Sequence, residues 1–167
     1  NNGLGLIQFY AGVSSHPSDA LTFFGGLQDN GSNRRNTATQ NWVQVLGGDG
    51  GWTQLDQANP LRVFVEFQGS GNLYRSTNGG GTWTNLPNRP VATLYGISAV
   101  DNMRAWAIGS AAVYRTTDGG SSWSTTFLTI PGGGRLYAIR MISATVGWVS
   151  AAGGILYKTT NGGNNWT

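Results

Sequence analysis

Three near-copies of one ten-residue stretch constrain this chain more than any other feature. They read Tyr74-Arg75-Ser76-Thr77-Asn78-Gly79-Gly80-Gly81-Thr82-Trp83, then Tyr114-Arg115-Thr116-Thr117-Asp118-Gly119-Gly120-Ser121-Ser122-Trp123, then Tyr157-Lys158-Thr159-Thr160-Asn161-Gly162-Gly163-Asn164-Asn165-Trp166. The tryptophans at 83, 123 and 166 set a period of 40 and then 43 residues. A unit of that length cannot bury its own apolar face. Stacked neighbours must do so, as in a propeller or a solenoid.

Each copy has a local physical logic. Leu73-Tyr74-Arg75, Val113-Tyr114-Arg115 and Leu156-Tyr157-Lys158 alternate apolar and basic residues, the pattern of a half-buried strand. Ser76, Thr116 or Thr159 then leads into Asn78, Asp118 or Asn161. A short Asx side chain accepts hydrogen bonds from backbone amides two or three residues on, and Gly80, Gly120 and Gly163 supply positive φ. The chain re-enters a strand at Trp83, Trp123 or Trp166, whose large apolar rings are suited to packing between blades. Each copy is thus a β-hairpin with its own staple.

The pattern resembles the Asp-box, or BNR repeat, of sialidases, sortilin-type propellers, xyloglucanase-type glycosidases and photosystem II assembly factors. The resemblance implies an all-β fold, a β-propeller of four-stranded antiparallel blades closed by Asp-box hairpins. It also implies that Asn78, Asp118 and Asn161 are turn staples away from any active site.

Aligning the whole chain on its tryptophans gives one propeller domain over 1–167, with about four blades at roughly 5–46, 47–87, 91–128 and 134–167. Tyr95 to Tyr137 and Trp106 to Trp148 are each 42 residues apart, so the repeat extends beyond the box. In the first blade, residues 7–13 are expected as the inner strand, followed by strands at 21–27, about 33–35 and 42–45. The box chemistry is missing between Arg35 and Trp42, so that hairpin is expected to be looser. A chain that opens and closes within a repeat reads as part of a larger propeller.

Composition excludes several classes. Charged residues are 10% of the chain and Gly is 27 of 167, which favours tight turns over long surface helices. The net charge of +3 is spread out, with no basic run beyond Arg34-Arg35, so nucleic acid is not an expected partner. No apolar run is long enough for a membrane span. There is no cysteine and a single histidine, His16, so no metal site, no cofactor and no Ser-His-Asp constellation is expected. The polar, Asn- and Thr-rich composition suggests a secreted or cell-surface protein.

In a four-stranded meander the A–B turns and the boxes share one face, and the B–C and D–A connections share the other. Asp19, Asp56 and Asp101 fall in A–B turns, where Asp caps turns. Glu66 falls mid-strand and is expected to be solvent-facing or paired. Asp29 and Asp49 remain, in the Gly-rich connections 26–31 and 47–51. Those connections resemble the first blade of sortilin-like and xyloglucanase-like propellers. Two carboxylates flanking a bond are what glycoside hydrolysis needs, so Asp29 and Asp49 are the candidate catalytic pair. The favoured reading is that they hold the two loops together. Asp29, Asn30, Asp49, Trp52, Tyr95 and Tyr137 are the candidate ligand-binding residues. Arg34, Arg75, Arg115 and Lys158 form a basic column, expected on a solvated outer strand that discourages edge pairing.

The chain is therefore expected to be a binding or structural module for a protein or polysaccharide, more readily than an enzyme. One alternative is part of a glycoside hydrolase of xyloglucanase or sialidase type. Another is a subunit that self-associates through strands at its chain ends.

Overall fold

The computed structural model describes residues 8–9, 13–35, 41–67, 69 and 72–167. They form four antiparallel sheets, each a meander paired in chain order. The first holds β1 (Ser14–Ser15), β2 (Phe23–Leu27), β3 (Gly31–Arg35) and β4 (Trp42–Leu46). The second holds β5 (Gly50–Leu55), β6 (Val63–Phe67), β7 (Leu73–Ser76) and β8 (Thr84–Asn85). The third holds β9 (Gly96–Ala99), β10 (Ala105–Ile108), β11 (Ala112–Thr116) and β12 (Ser124–Phe127). The fourth holds β13 (Leu136–Met141), β14 (Gly147–Ala151) and β15 (Ile155–Thr159). A short 3-10 turn at Ala152–Gly154 is the sole helical segment among the described residues, and no helix is long and apolar enough to cross a membrane.

Two expected details fall largely outside the described residues. The inner strand placed at 7–13 falls mostly outside the described residues. What is described is a bridge from Phe9 to Leu27, followed by β1 pairing with Phe23 and Phe24. The hairpin at 36–40 also lies outside the described residues. In the fourth sheet no last strand forms among the described residues. Instead Lys158 and Thr167 exchange backbone hydrogen bonds of 2.7 and 2.9 Å.

The sheets stack in series, so β9 and β10 of the third sheet, which has a neighbour on each side, are buried on both faces. All four residues of β10 are buried. Ala105 and Ala107 pack with Phe64, Leu73 and Leu86 of the second sheet. Trp106 and Ile108 face the other way, onto Leu136, Ile139 and Val149 of the fourth. Phe24, Phe64 and Trp106 occupy the same place in successive sheets and are 1%, 1% and 0% exposed. Each such ring contributes about 1.5–3 kcal/mol by leaving water.

The three arginines of the basic column are half-buried against the next sheet, which corrects the sequence expectation of a solvated outer strand. Arg34, Arg75 and Arg115 are the direct cross-strand partners of Phe24, Phe64 and Trp106. That register puts them on the face the next sheet covers. Arg34 donates to the Gly79 carbonyl at 3.1 Å and Arg75 to the Gly119 carbonyl. Arg115 donates to Asn164 Oδ1 at 2.6 Å. Each arginine thus ties its sheet to the repeat loop of the following one. Lys158 pairs with Trp148 in the same register, is exposed, and lies 5.8 Å from that ring.

The repeat loops share one hydrogen-bond scheme. Thr116 Oγ1 donates to Asp118 Oδ1 at 2.8 Å and accepts from the Asp118 and Gly120 amides. Asp118 Oδ1 accepts from the Ser122 amide at 2.9 Å. The Asx staple therefore reaches four residues on, farther than its short side chain alone suggests, because the Thr hydroxyl satisfies the nearer amides. Ser76 with Asn78, and Thr159 with Asn161, repeat the scheme. Gly119 and Gly120, at φ 71° and 91°, make the reversal that a side chain would strain. The amides of Gly79, Gly119 and Gly162 then donate to Leu61, Met103 and Thr145 in the A–B turns. This ties loops and A–B turns into one face and leaves the opposite face to the other connections.

Candidate functional site

The opposite face carries a cavity of about 380 Å³, within the size range of small-ligand sites. It opens where β5, β9 and β13 converge. Asp49, Trp52, Glu66, Tyr95, Arg135 and Tyr137 are among its lining residues. Four of the six candidate ligand-binding residues, Asp49, Trp52, Tyr95 and Tyr137, are thus brought together from three sheets.

Each is positioned by simple local structure. Asp49 sits in the connection before β5, and its Oδ1 accepts the Asp29 amide at 2.8 Å. Trp52 lies on β5 beside a register shift between Gly50 and Thr53, half-buried against the cluster shared by the second and third sheets. Tyr95 immediately precedes β9, where its amide donates to the Ile108 carbonyl at 2.8 Å. Tyr137 lies on β13 at its own register shift and is 50% exposed.

Asp29 and Asn30 do not line the cavity. Asp29 is exposed at φ 61° and joins the site only through its amide bond to Asp49. Asn30 closes the neighbouring turn, its Nδ2 donating to the Gln28 carbonyl and its own carbonyl accepting from Asn33 and Gln44. The side chains of Ser76, Thr116 and Thr159 and their Asx partners lie in the repeat loops, on the far face. Trp83, Trp123 and Trp166 are partly buried against three successive inter-sheet clusters.

Glu66 and Arg135 line the cavity although neither is among the candidate site residues of the sequence. Glu66 is 6% exposed, not solvent-facing, because β6 is covered on both sides. Its Oε2 accepts the Trp52 amide at 3.3 Å. Burial pushes its carboxyl up to about 7, with the Trp52 amide pulling the other way. The signal was available, since a lone carboxylate inside the run Val63-Phe64-Val65-Glu66-Phe67 interrupts a strand of two apolar faces. Arg135 follows Pro131-Gly132-Gly133-Gly134, the connection that enters β13. Its guanidinium lies 4.7 Å from the Tyr95 ring centre and 5.4 Å from that of Tyr137, within cation–π range. Among the described residues no cluster of three His, Cys, Asp or Glu side chains could hold a metal ion.

No protein-family model matches the chain, and no curated protein matches it. Solved structures do. An ancestral GH74 enzyme aligns with a TM-score of 0.73 at 20% identity, over 93% of this chain and 23% of that one. The Niastella koreensis GH74 enzyme aligns with a TM-score of 0.76 at 16% identity, over 96% and 29%. YCF48 from Cyanidioschyzon merolae aligns with a TM-score of 0.60 at 25% identity, over 69% and 35%. The chain therefore spans about a quarter to a third of the length of these structures. Together with the four meander sheets, these likenesses show that the chain folds as consecutive blades of a β-propeller.

Proposed function

We propose that this chain is an Asp-box propeller that acts as a binding module, secreted or displayed at a cell surface, and holds a polysaccharide segment in the cavity opposite the boxes. One observation carries the reading. Three aromatic side chains and two carboxyls from three blades converge on a single cavity. Aromatic faces suit sugar rings, and carboxyls accept from hydroxyl groups. Asp49 already holds the Asp29 amide, which favours a loop-holding role over a free catalytic pair.

A protein partner is the second reading, since one similar structure is YCF48 bound to D1 peptide, aligned at 25% identity with a TM-score of 0.52 over 64% of this chain. Hydrolysis is the third, in view of the GH74 neighbours.

Titration calorimetry against a panel of neutral and acidic oligosaccharides tests the proposal. It predicts that Trp52→Ala and Tyr137→Ala each weaken binding tenfold or more. No binding, or binding that both variants leave intact, overturns it. Release of new reducing ends, lost in Asp49→Asn or Asp29→Asn, would put the hydrolase reading in its place.

A further inference from the structure

We infer that the cavity mouth is a carboxylate-binding site and that its ligand is a uronate-type sugar, held by Arg135 between Tyr95 and Tyr137. This rests on the cavity being a sugar-binding site and names the class of sugar.

The argument starts from what Arg135 does not do. Its side chain is exposed and makes no hydrogen bond or ion pair among the described residues, where the sole salt bridge joins Arg104 to Asp101. Yet it is not free to wander. Ring contacts at 4.7 and 5.4 Å hold the guanidinium on two tyrosines of adjacent blades. Its backbone is fixed too, with its carbonyl accepting the Ala152 amide at 2.9 Å and Leu136 donating to Ser110. The guanidinium is therefore pre-positioned at the cavity with its donors uncommitted. A planar fork of N–H groups matches a carboxylate bidentately, and pre-positioning reduces the entropy lost on binding.

The rest of the cavity indicates what carries that carboxylate. Asp49 and the buried Glu66 offer acceptors, and Trp52 offers an apolar ring face. Hydroxyls, a ring face and one carboxylate together describe a uronic acid unit. The charged groups facing this space are Asp49 from the connection before β5, Glu66 from β6 and Arg135 from the connection before β13. Tyr95 and Tyr137 are the other titratable groups. Because burial raises the Glu66 carboxyl to about 7, lowering the pH from 8 to 6 removes a negative charge that opposes an anionic ligand. The ligand's own carboxylate stays ionised over that range.

The test is calorimetric titration of the full chain with tetragalacturonate and with its methyl ester, at pH 6 and pH 8. The acid is expected to bind at least tenfold tighter than the ester at pH 6. Arg135→Ala should abolish that preference, and Arg135→Lys should restore part of it. The preference should shrink severalfold at pH 8 in the native chain, and Glu66→Gln should flatten that change. Equal affinity for acid and ester, or a preference that survives Arg135→Ala, overturns the inference. If acid and ester bind equally and both depend on Trp52, the sugar-binding reading stands while the uronate assignment falls. If neither binds, both fall. Tetraglutamate binding as tightly as the uronate overturns the assignment to a sugar.

Discussion

Trp106 and Arg115 are direct cross-strand partners, and both reach to the same loop of the next blade. Trp106 Nε1 donates to the Gly162 carbonyl at 2.9 Å, and Arg115 Nη1 donates to Asn164 Oδ1 at 2.6 Å. An apolar ring and a cation on one strand pair thus dock one loop. Trp106→Ala removes a fully buried ring and leaves a cavity, at a cost of about 3–5 kcal/mol. Arg115→Ala loses a part-exposed hydrogen bond and costs about 1 kcal/mol. Because both hold the same loop, the double variant should depart from additivity by at least about 0.5 kcal/mol. Urea denaturation of the four proteins gives the answer, and strict additivity would show that the two contacts act independently.

Asp118 is the sole ionisable residue among the Asx positions of the three repeat loops. The Ser122 hydroxyl and amide, then the Thr116 hydroxyl, hold its carboxyl down to about 2. A depressed carboxyl stabilises the fold above the ordinary value of 3.8, and that contribution is lost as pH falls through the folded value. Protection of the Gly120 and Ser122 amides, relative to their intrinsic exchange at each pH, should therefore fall between about pH 4 and pH 2. The Asn78 and Asn161 loops should show no such step. Asp118→Asn keeps the acceptor oxygen, as Asn78 does, and should remove the step while leaving the loop formed. Equal acid sensitivity in all three loops would refute this.

Glu66 titrates with the opposite sign. Its folded carboxyl is raised from 4.5 to about 7, so between those values the native state holds more protons than the unfolded chain. Stability contributed by the neutral form is full below about pH 4.5 and declines as pH rises through 7. The total decline is on the order of 3 kcal/mol. Glu66→Gln retains an acceptor for the Trp52 amide and cannot ionise. It should be more stable than the native chain at pH 8 and similar at pH 4.5. Thermal unfolding across that range tests this, and parallel curves for the two proteins would exclude a buried, titrating Glu66.

These contacts show what a repeat does and does not reveal in sequence. The strand order and the three stapled loops were legible because they depend on residues within about ten positions of one another. The destination of Arg34, Arg75 and Arg115 was not. Their spacing of 41 and 40 residues marks a column, but a column on an outer strand is as consistent with solvent as with a neighbouring blade. Only the register against Phe24, Phe64 and Trp106 decides between them. Glu66 was misread for a related reason. Alternation assigns it to one face of β6, whereas serial stacking covers both faces. Asp49, Trp52, Tyr95 and Tyr137 could be placed on inner strands and connections. Their meeting with Arg135 depends on how far each blade turns relative to the last, which no local pattern encodes.

Asp29 and Asp49 provide the sharpest separation of a structural from a chemical role. Asp29 sits at φ 61°, a conformation that costs a non-glycine residue strain and glycine almost none. Asp49 Oδ1 accepts its amide, which fixes the connection 26–31 against the connection 47–51. If that bond is what the pair is for, Asp29→Gly should leave stability unchanged or raise it by a few tenths of a kcal/mol. Asp49→Ala should lower it by about 1 kcal/mol, because the amide loses its acceptor near the surface. Asp49→Asn should fall between, as it keeps an oxygen but not the charge. The Asp29 amide should exchange faster in Asp49→Ala and unchanged amides should remain in the repeat loops. A loss of stability in Asp29→Gly as large as in Asp49→Ala would mean that the Asp29 side chain, and not its backbone, is the group the fold requires.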